Sequence, residues 1–560
     1  MPIPQHRWLE LLVFLVSFLL ITLLDRRERL QQTPAFYTLS AWLLRITYRP
    51  IRAYGFLAGY TLFLLLLLSF VVGAHPFAPE EFSQQLAADT FAQGRLSNPS
   101  HPLWTFFETI QVISQPFYAS KFPPAQGMFM AFGQLIFGTP VVGVWLGYIG
   151  AVLAVYWLLT LCMPAVPALI GGWLVATHAT FVLNWGLGYG GGGLSMLGGA
   201  LMVGGMIALL RQPRGRHVTL MAVGLLLLWC NLPVEGVIFS IVPLGVLLYA
   251  IQQVQYWYGT RPLLRWIPGL LLMGASIVAL PAYNHAVTGD ILRMPSSYYT
   301  QQYRQTRHFL FQRARKEILY NRPEMKRFHK REAATFGYRK TIEGFVVGVF
   351  RKVLVFENFY LGLLFLVPFV LFLVGPWEAT GRLAFWSVLI AFGTNLLSST
   401  ELPHQLAPAT GALAVIVGQG LLFMWYASGR WRDWGPRFVL AVVLSTLPLA
   451  VLESIYLTRS ANWKAGQQRQ ANEAFLTAKS GQHVVLVKYA PTHSISEEWV
   501  YNQANIDSQS VIWAVDKGAR QNWALFRYYP NRTFWQLRPD ENAGKLYRLR
   551  QPVSGDVAKR

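Results

Sequence analysis

Residues 55–74 read GFLAGYTLFLLLLLSFVVGA, and residues 75–82 continue HPFAPEEF. An uncharged run of this length fits the hydrocarbon core of a bilayer, which is roughly 30 Å thick and needs about 20 helical residues to cross. The abrupt change to His75, two prolines and two adjacent carboxylates marks the point where the chain leaves the lipid. Comparable runs follow at 141–162, 194–210, 263–280, 353–374 and 438–455, each with at most one charge. Over the 560 residues 53% are hydrophobic and 13% charged, against roughly 25% charged in an average soluble domain. A large soluble helical protein would carry charges along the outer face of each helix, so that class is excluded. The expectation is an all-α polytopic membrane protein with about 11–13 spans. No internal repeat is evident.

The first apolar run, 8–24, is followed by Asp25, Arg26, Arg27, Glu28 and Arg29 rather than by small residues, and reads as a retained helix, not a cleaved signal. Cys162 and Cys230 are too few for a disulfide framework and read as small core residues. The net charge of +22 flanks lipid-spanning runs and does not form a solvated basic face, which favours anionic headgroups or lipid phosphates over nucleic acid.

Lys and Arg concentrate in three short connections, 211–217, 258–265 and 430–437, which marks them as cytoplasmic. Alternating through the spans puts 75–126, 184–189, 231–236, 398–404 and everything after 459 on the opposite side. The basic stretch 25–54 falls on the cytoplasmic side, with 35–46 in the interface. Segment 290–352 is strongly cationic, with Arg313, Arg315, Lys316, Lys326, Arg327, Lys330, Arg331, Arg339 and Lys340, yet falls outside. The charge rule weakens for loops of about 60 residues or more, so the short loops decide. Beyond residue 456 a polar helical stretch is followed by β-rich runs at 483–489, 510–515 and 533–537, with a helix-compatible piece at 519–529. This strand–helix alternation predicts a small α/β soluble domain. The domains read as 1–54, an anchor with a basic cytoplasmic segment; 55–458, the transmembrane domain; and 459–560, the soluble α/β domain.

The loop 75–126 carries the most chemistry. Glu80 and Glu81 stand where a helix leaves the bilayer, and a carboxylate half-shielded from water has its pKa raised into the range of a general base. The alternative is structural, since Glu in a first helical turn after Pro is a common cap. The loop ends Tyr118-Ala-Ser-Lys121-Phe-Pro123-Pro124, where Lys121 can neutralise a phosphate and the two prolines stiffen the return to the membrane. Elsewhere on this side, Glu235 is an isolated carboxylate between two spans, equally readable as a turn residue. A lone interfacial histidine such as His404 reads first as a satisfied structural residue; Glu401, three residues earlier, is the candidate partner that would make it a site group. The run 186–193, GLGYGGGG, lacks the Lys-Ser/Thr of a phosphate loop and suits close helix packing or a lid. His493 beside Ser494 is too ordinary a pair for a hydrolase, and the tail reads as a lid or acceptor-binding module. No metal-ligand spacing is recognisable.

The acidic pair after an early span, followed in the same loop by the Tyr/Lys–Pro-Pro element, resembles the GT-C superfamily of membrane glycosyltransferases. The likeness is to the family-39-like group with the protein mannosyltransferases and the aminoarabinose transferase, and to a bacterial branch of it. Four stretches carry it, 79–94, 115–127, 404–411 and 489–501. The resemblance implies that Glu80 or Glu81 activates an acceptor hydroxyl. Lys121, with Tyr118, would contact the phosphate of a polyprenyl-phosphate sugar donor, and Arg293, Arg304 and Arg307 would support it. Relatives carry Asp-Glu where this chain has Glu-Glu, and often join Lys to Pro directly where Phe122 intervenes here. Members of the superfamily differ in their use of a divalent metal, and the acidic pair leaves both cases open.

The implied activity is inverting glycosyl transfer onto an unidentified glycan, lipid or protein acceptor of the envelope, at the outer face of a bacterial inner membrane. Two other readings stand beside it: a transporter or flippase of lipid-linked or anionic substrates, and a non-catalytic envelope assembly protein. For 290–352 an amphipathic helix lying on anionic lipid is the rival to a substrate-binding role.

Overall fold

The computed structural model describes residues 7–28, 33–73, 75–429, 432–494, 497–541 and 544–550. Arg29 of the expected basic stretch and Arg430 of the third basic loop lie outside them. Among the described residues nine helices are long and apolar enough to cross a membrane, and a tenth arises if Ala165–Thr177 and Ala179–Leu187, bent by 51°, count as one span. The helix Gly215–Trp229 is apolar but shorter. It packs between neighbouring spans through glycine, for a Cβ on Gly224 would stand 2.7 Å from the Gly198 carbonyl. The segment 35–46, expected in the interface, lies within the helix Pro34–Tyr48.

The basic loops gather at one end of the bundle. Gly215 lies so close to the Arg265 carbonyl that a Cβ would stand 2.0 Å from it, and Arg437 pairs with Asp25 at 2.6 Å. The other end gathers several longer connections. Ala125 N–H donates to the Cys230 carbonyl at 2.9 Å and Ser399 N–H to the His308 carbonyl at 2.8 Å. The Trp463 indole donates to the Val72 carbonyl at 2.7 Å, and Asn231 donates to the Gly191 carbonyl at 2.7 Å. Both cysteines are free thiols.

At that second end the chain builds three layers. Pro79–Ala92 and Pro124–Phe137 lie against each other, joined by a small sheet in which Phe117–Ser120 runs between Asn98–Pro99 and Val112–Ile113. Above this loop folds 290–341. The expected segment 290–352 forms two short helices, Pro295–Tyr303 and Pro323–Tyr338, separated by coil, and its last residues, 342–352, belong to the next helix, Ile342–Phe356. Tyr299, Tyr303 and Met325 are buried against Ile110 and Ile113, which turns the segment inward onto the loop. Ile342–Phe356 then leads through a short π-helical turn into Gly362–Val374.

The third layer is the C-terminal domain. The helix Ala461–Thr477, capped by Ser460, precedes a sheet in which His483–Val487 pairs in parallel with Val511–Val515 and Thr533–Leu537. Leu546–Arg548, which the sequence reading did not identify, adds an antiparallel edge. The domain is fastened to the loop. Tyr501 stacks on Phe82 with ring centroids 4.4 Å apart, Asp89 accepts from Ala504 N–H at 2.6 Å, and buried Arg322 bonds Glu498 at 3.1 Å while donating to the Glu108 carbonyl.

Candidate active site where the loops converge

Pro79–Ala92 starts with Pro79 in its first turn, where the missing N–H costs nothing, and places two carboxylates next to each other. One helical residue is about 100° of rotation, so the two face different surroundings. Glu81, buried, folds back on the helix start. One oxygen accepts from Phe77 N–H at 3.0 Å and Ala78 N–H at 3.2 Å, and the other from Tyr189 N–H at 3.1 Å. Burial pushes its carboxyl up to about 7, with Glu80 adding to the shift and the three N–H donors opposing it. The glycine run 186–193 makes room for this contact, since a Cβ on Gly188 would stand 2.9 Å from the Glu81 carboxylate.

Glu80 is half-buried and its carboxylate accepts from the Gln111 side chain at 3.3 Å. Its charge reaches Lys121, His404, Tyr299 and Tyr501. Lys121 follows the strand Phe117–Ser120, and its ammonium lies 4.9 Å from the Phe122 ring centroid and 5.0 Å from that of Tyr299. Among the described residues no carboxylate ion-pairs with it. Burial and then Arg304 bring the ammonium down to about 8, with Glu332 and Glu80 opposing. An unpaired cation over two aromatic faces, beside a second cation, is a ready anion site.

Arg304 pairs with Glu332 at 3.3 Å. Burial alone would raise the Glu332 carboxyl, but Arg304 and the hydrogen bond from His329 hold it below the usual carboxylate range. His329 joins Glu332 through Nδ1 at 2.8 Å and meets the Tyr299 hydroxyl through Nε2 at 3.1 Å; burial lowers its pKa. On the other flank Glu235 accepts from Gln405 at 2.9 Å and lies 3.5 Å from His308. Burial lowers the His308 pKa, with Glu235 opposing. His404 is within electrostatic reach of Glu80, Glu235 and Lys121.

The structure therefore gathers Glu80, Lys121, Arg304, Glu235 and His404, with Glu81 just behind them. Of the four other candidates, three are engaged elsewhere and one is exposed. The Tyr118 hydroxyl donates to the Asn502 carbonyl at 2.9 Å, toward the C-terminal domain. Arg293 stacks 3.7 Å from the Tyr298 ring centroid and bonds Gln301, and Arg307 is exposed. Glu401 pairs with Arg339, so the expected Glu401–His404 partnership gives way to an ion pair from a distant helix.

Gln111, Tyr299, His308, His329 and Glu332 went unnoticed in the sequence. The one signal was in Pro323–Tyr338, where His329 and Glu332 are three apart on one helix face among four cations. Among the described residues no three His, Cys, Asp or Glu side chains converge to hold a metal.

No family model and no curated protein matches the chain. Solved structures do. ArnT from Cupriavidus metallidurans in the apo state aligns with a TM-score of 0.50 at 10% identity over 86% of this chain and 93% of that one. The same protein bound to undecaprenyl phosphate aligns at 0.42 and 10% identity over 87% and 93%. The archaeal oligosaccharyltransferase AglB from Archaeoglobus fulgidus, in complex with an inhibitory peptide and a dolichol-phosphate, aligns at 0.33 and 11% identity over 76% and 62%. At such identities the likeness is one of architecture, and it rests on the first of the three: the chain has the GT-C fold.

Proposed function

We propose that this protein is a membrane glycosyltransferase that moves a sugar from a polyprenyl phosphate to a hydroxyl-bearing envelope acceptor, at the membrane face opposite the basic loops. The observation that carries the reading is the nearness of a half-buried carboxylate, Glu80, to an ammonium, Lys121, that forms no ion pair among the described residues. The GT-C fold, and the undecaprenyl phosphate bound by ArnT in one of its crystal structures, agree with it.

In this mechanism Glu80 accepts the proton of the acceptor hydroxyl as its oxygen attacks the anomeric carbon. The bond from that carbon to the phosphate oxygen breaks, its electron pair leaves with the lipid phosphate, and the anomeric centre inverts. Lys121 and Arg304 face the charge growing on the departing phosphate, where fixed cations in a partly dry site act most strongly. Glu81 holds the helix start and the 184–189 turn in place and is not the base. The envelope of a bacterial inner membrane supplies both substrates in this reading.

The test is transfer by the purified full-length protein from a panel of polyprenyl-phosphate sugars. Glu80→Gln is expected to cut turnover by about 10²–10⁴-fold while binding of polyprenyl phosphate persists. A Glu80→Gln protein with undiminished turnover refutes the assignment. Movement of lipid-linked sugar across liposome bilayers with no bond made would instead establish the transporter reading.

A further inference from the structure

Gln111 is the one non-glycine residue among those described with a positive φ, +69°. A side chain with a Cβ is disfavoured there, so the conformation persists only where its surroundings over-determine it. Here they do. Its N–H donates to the Tyr299 hydroxyl at 3.0 Å. Its carbonyl accepts from the Ser83 hydroxyl at 2.6 Å and from Lys121 N–H at 3.4 Å. Having accepted from Gln111, the Tyr299 hydroxyl gives its own proton to His329 Nε2, and His329 Nδ1–H donates to Glu332, which Arg304 holds. A chain of hydrogen bonds thus runs from the cationic helix Pro323–Tyr338 to one strained peptide unit.

That peptide unit carries the side chain that touches Glu80. Gln111 Nε2 donates to the Glu80 carboxylate at 3.3 Å. The amide oxygen of the same group is buried and has no partner among the described residues. The backbone of Gln111 also meets the Lys121 peptide directly, so one residue spans the carboxylate and the ammonium of the proposed site.

We propose that Gln111 is a positioning residue: clamped in its left-handed conformation by Tyr299, His329 and Glu332, it aims the Glu80 carboxylate at the acceptor hydroxyl and fixes its separation from Lys121. This rests on the glycosyltransferase reading above and adds to it the device that orients the base. Tyr299 contributes twice, by its hydroxyl to Gln111 and by its ring to Lys121.

The experiment measures kcat and KM for polyprenyl-phosphate sugar, with thermal unfolding, in full-length Gln111→Gly and Tyr299→Phe, each alone and combined with Glu80→Gln. Glycine adopts the positive φ without strain, so Gln111→Gly should unfold no earlier than the parent. Its kcat should fall about tenfold, the scale of one hydrogen bond to a charged group, with KM for the donor within about twofold. Tyr299→Phe keeps the ring beneath Lys121 and should lose kcat in the same way. Neither change should reduce activity further once Glu80 is Gln, because a positioning residue acts only through the group it positions. Parental kcat in both Gln111→Gly and Tyr299→Phe, beside a crippled Glu80→Gln, overturns the inference and leaves the reading of the reaction standing. Losses that multiply with Glu80→Gln also overturn it. Full turnover in Glu80→Gln removes both.

Discussion

Glu80 and Glu81 are chemically identical neighbours in different surroundings, and Glu81 is the more deeply buried. Glu81 titrates near 7 in the folded protein because it is buried, whereas an unfolded carboxyl titrates near about 4.3. Between those values the folded state holds a proton that the unfolded state has released. Stability is therefore greatest below the unfolded pKa and falls as pH rises through about 7, by on the order of 3–4 kcal/mol. Thermal unfolding in detergent at pH 5 and pH 8 should show this decline, and Glu81→Gln should flatten it. The variant should also be less stable than the parent at pH 5, since one amide oxygen cannot replace two carboxyl oxygens facing three N–H donors. An unchanged pH slope in Glu81→Gln removes Glu81 as its source. Lys121 titrates in the other sense. Its ammonium, brought down to about 8, is charged at neutral pH and neutral well above it, so affinity for polyprenyl phosphate should fall above pH 8. Lys121→Arg keeps its charge at any accessible pH, and binding titrations at pH 7 and pH 9 should then agree. A parent protein that binds equally at both values argues against Lys121 as the phosphate ligand.

At the scale of elements, glycine decides how closely the site's supports approach. The helix Gly192–Arg211 passes the turn Pro403–Ala409 so tightly that a Cβ on Gly199 would stand 1.9 Å from the Pro408 carbonyl. That turn carries His404 and Gln405, and Gln405 holds Glu235. Gly199→Ala should push the turn outward, cost about 1–3 kcal/mol in thermal unfolding, and lower transfer more than a lipid-facing change such as Leu271→Ala. Equal melting of the two variants counts against this packing. The spans were legible because apolar length is a local property, and the Glu80–Glu81 corner and Lys121 were legible because they flank the points where the chain leaves and re-enters lipid. The partners from 290–341 were not. Cations dominate that segment's composition, while the residues that direct it, Tyr299, Tyr303 and Met325, are few and acquire meaning only against Ile110 and Ile113. Glu401 misled for the same reason: spacing from His404 suggests a partner, and Arg339, 62 positions away, takes it.

At the scale of the whole molecule, the geometry brings every proposed substrate contact to one end of the helical bundle. The polar loop after Pro50–Val72, the 290–341 segment and the C-terminal domain are bonded to one another through Trp463–Val72, Tyr501–Phe82 and Arg322–Glu498. The short basic connections meet at the far end, where Gly215 abuts Arg265. Proteins with such short basic loops hold them on the cytoplasmic side. The chain offers a clean test, because its two cysteines, Cys162 and Cys230, are buried and half-buried. Leu319 and Lys479 are exposed on the two outer layers, and Tyr258 is exposed in a basic connection. In intact cells a membrane-impermeant maleimide should label Leu319→Cys and Lys479→Cys and leave Tyr258→Cys unlabelled until the membrane is opened. Labelling of Tyr258→Cys alone would turn the molecule over and require a donor that presents its sugar to the cytoplasm. Labelling that separates Leu319→Cys from Lys479→Cys would break the three-layer assembly, and with it the alignment of Glu80, Lys121 and Arg304 on which the chemistry depends.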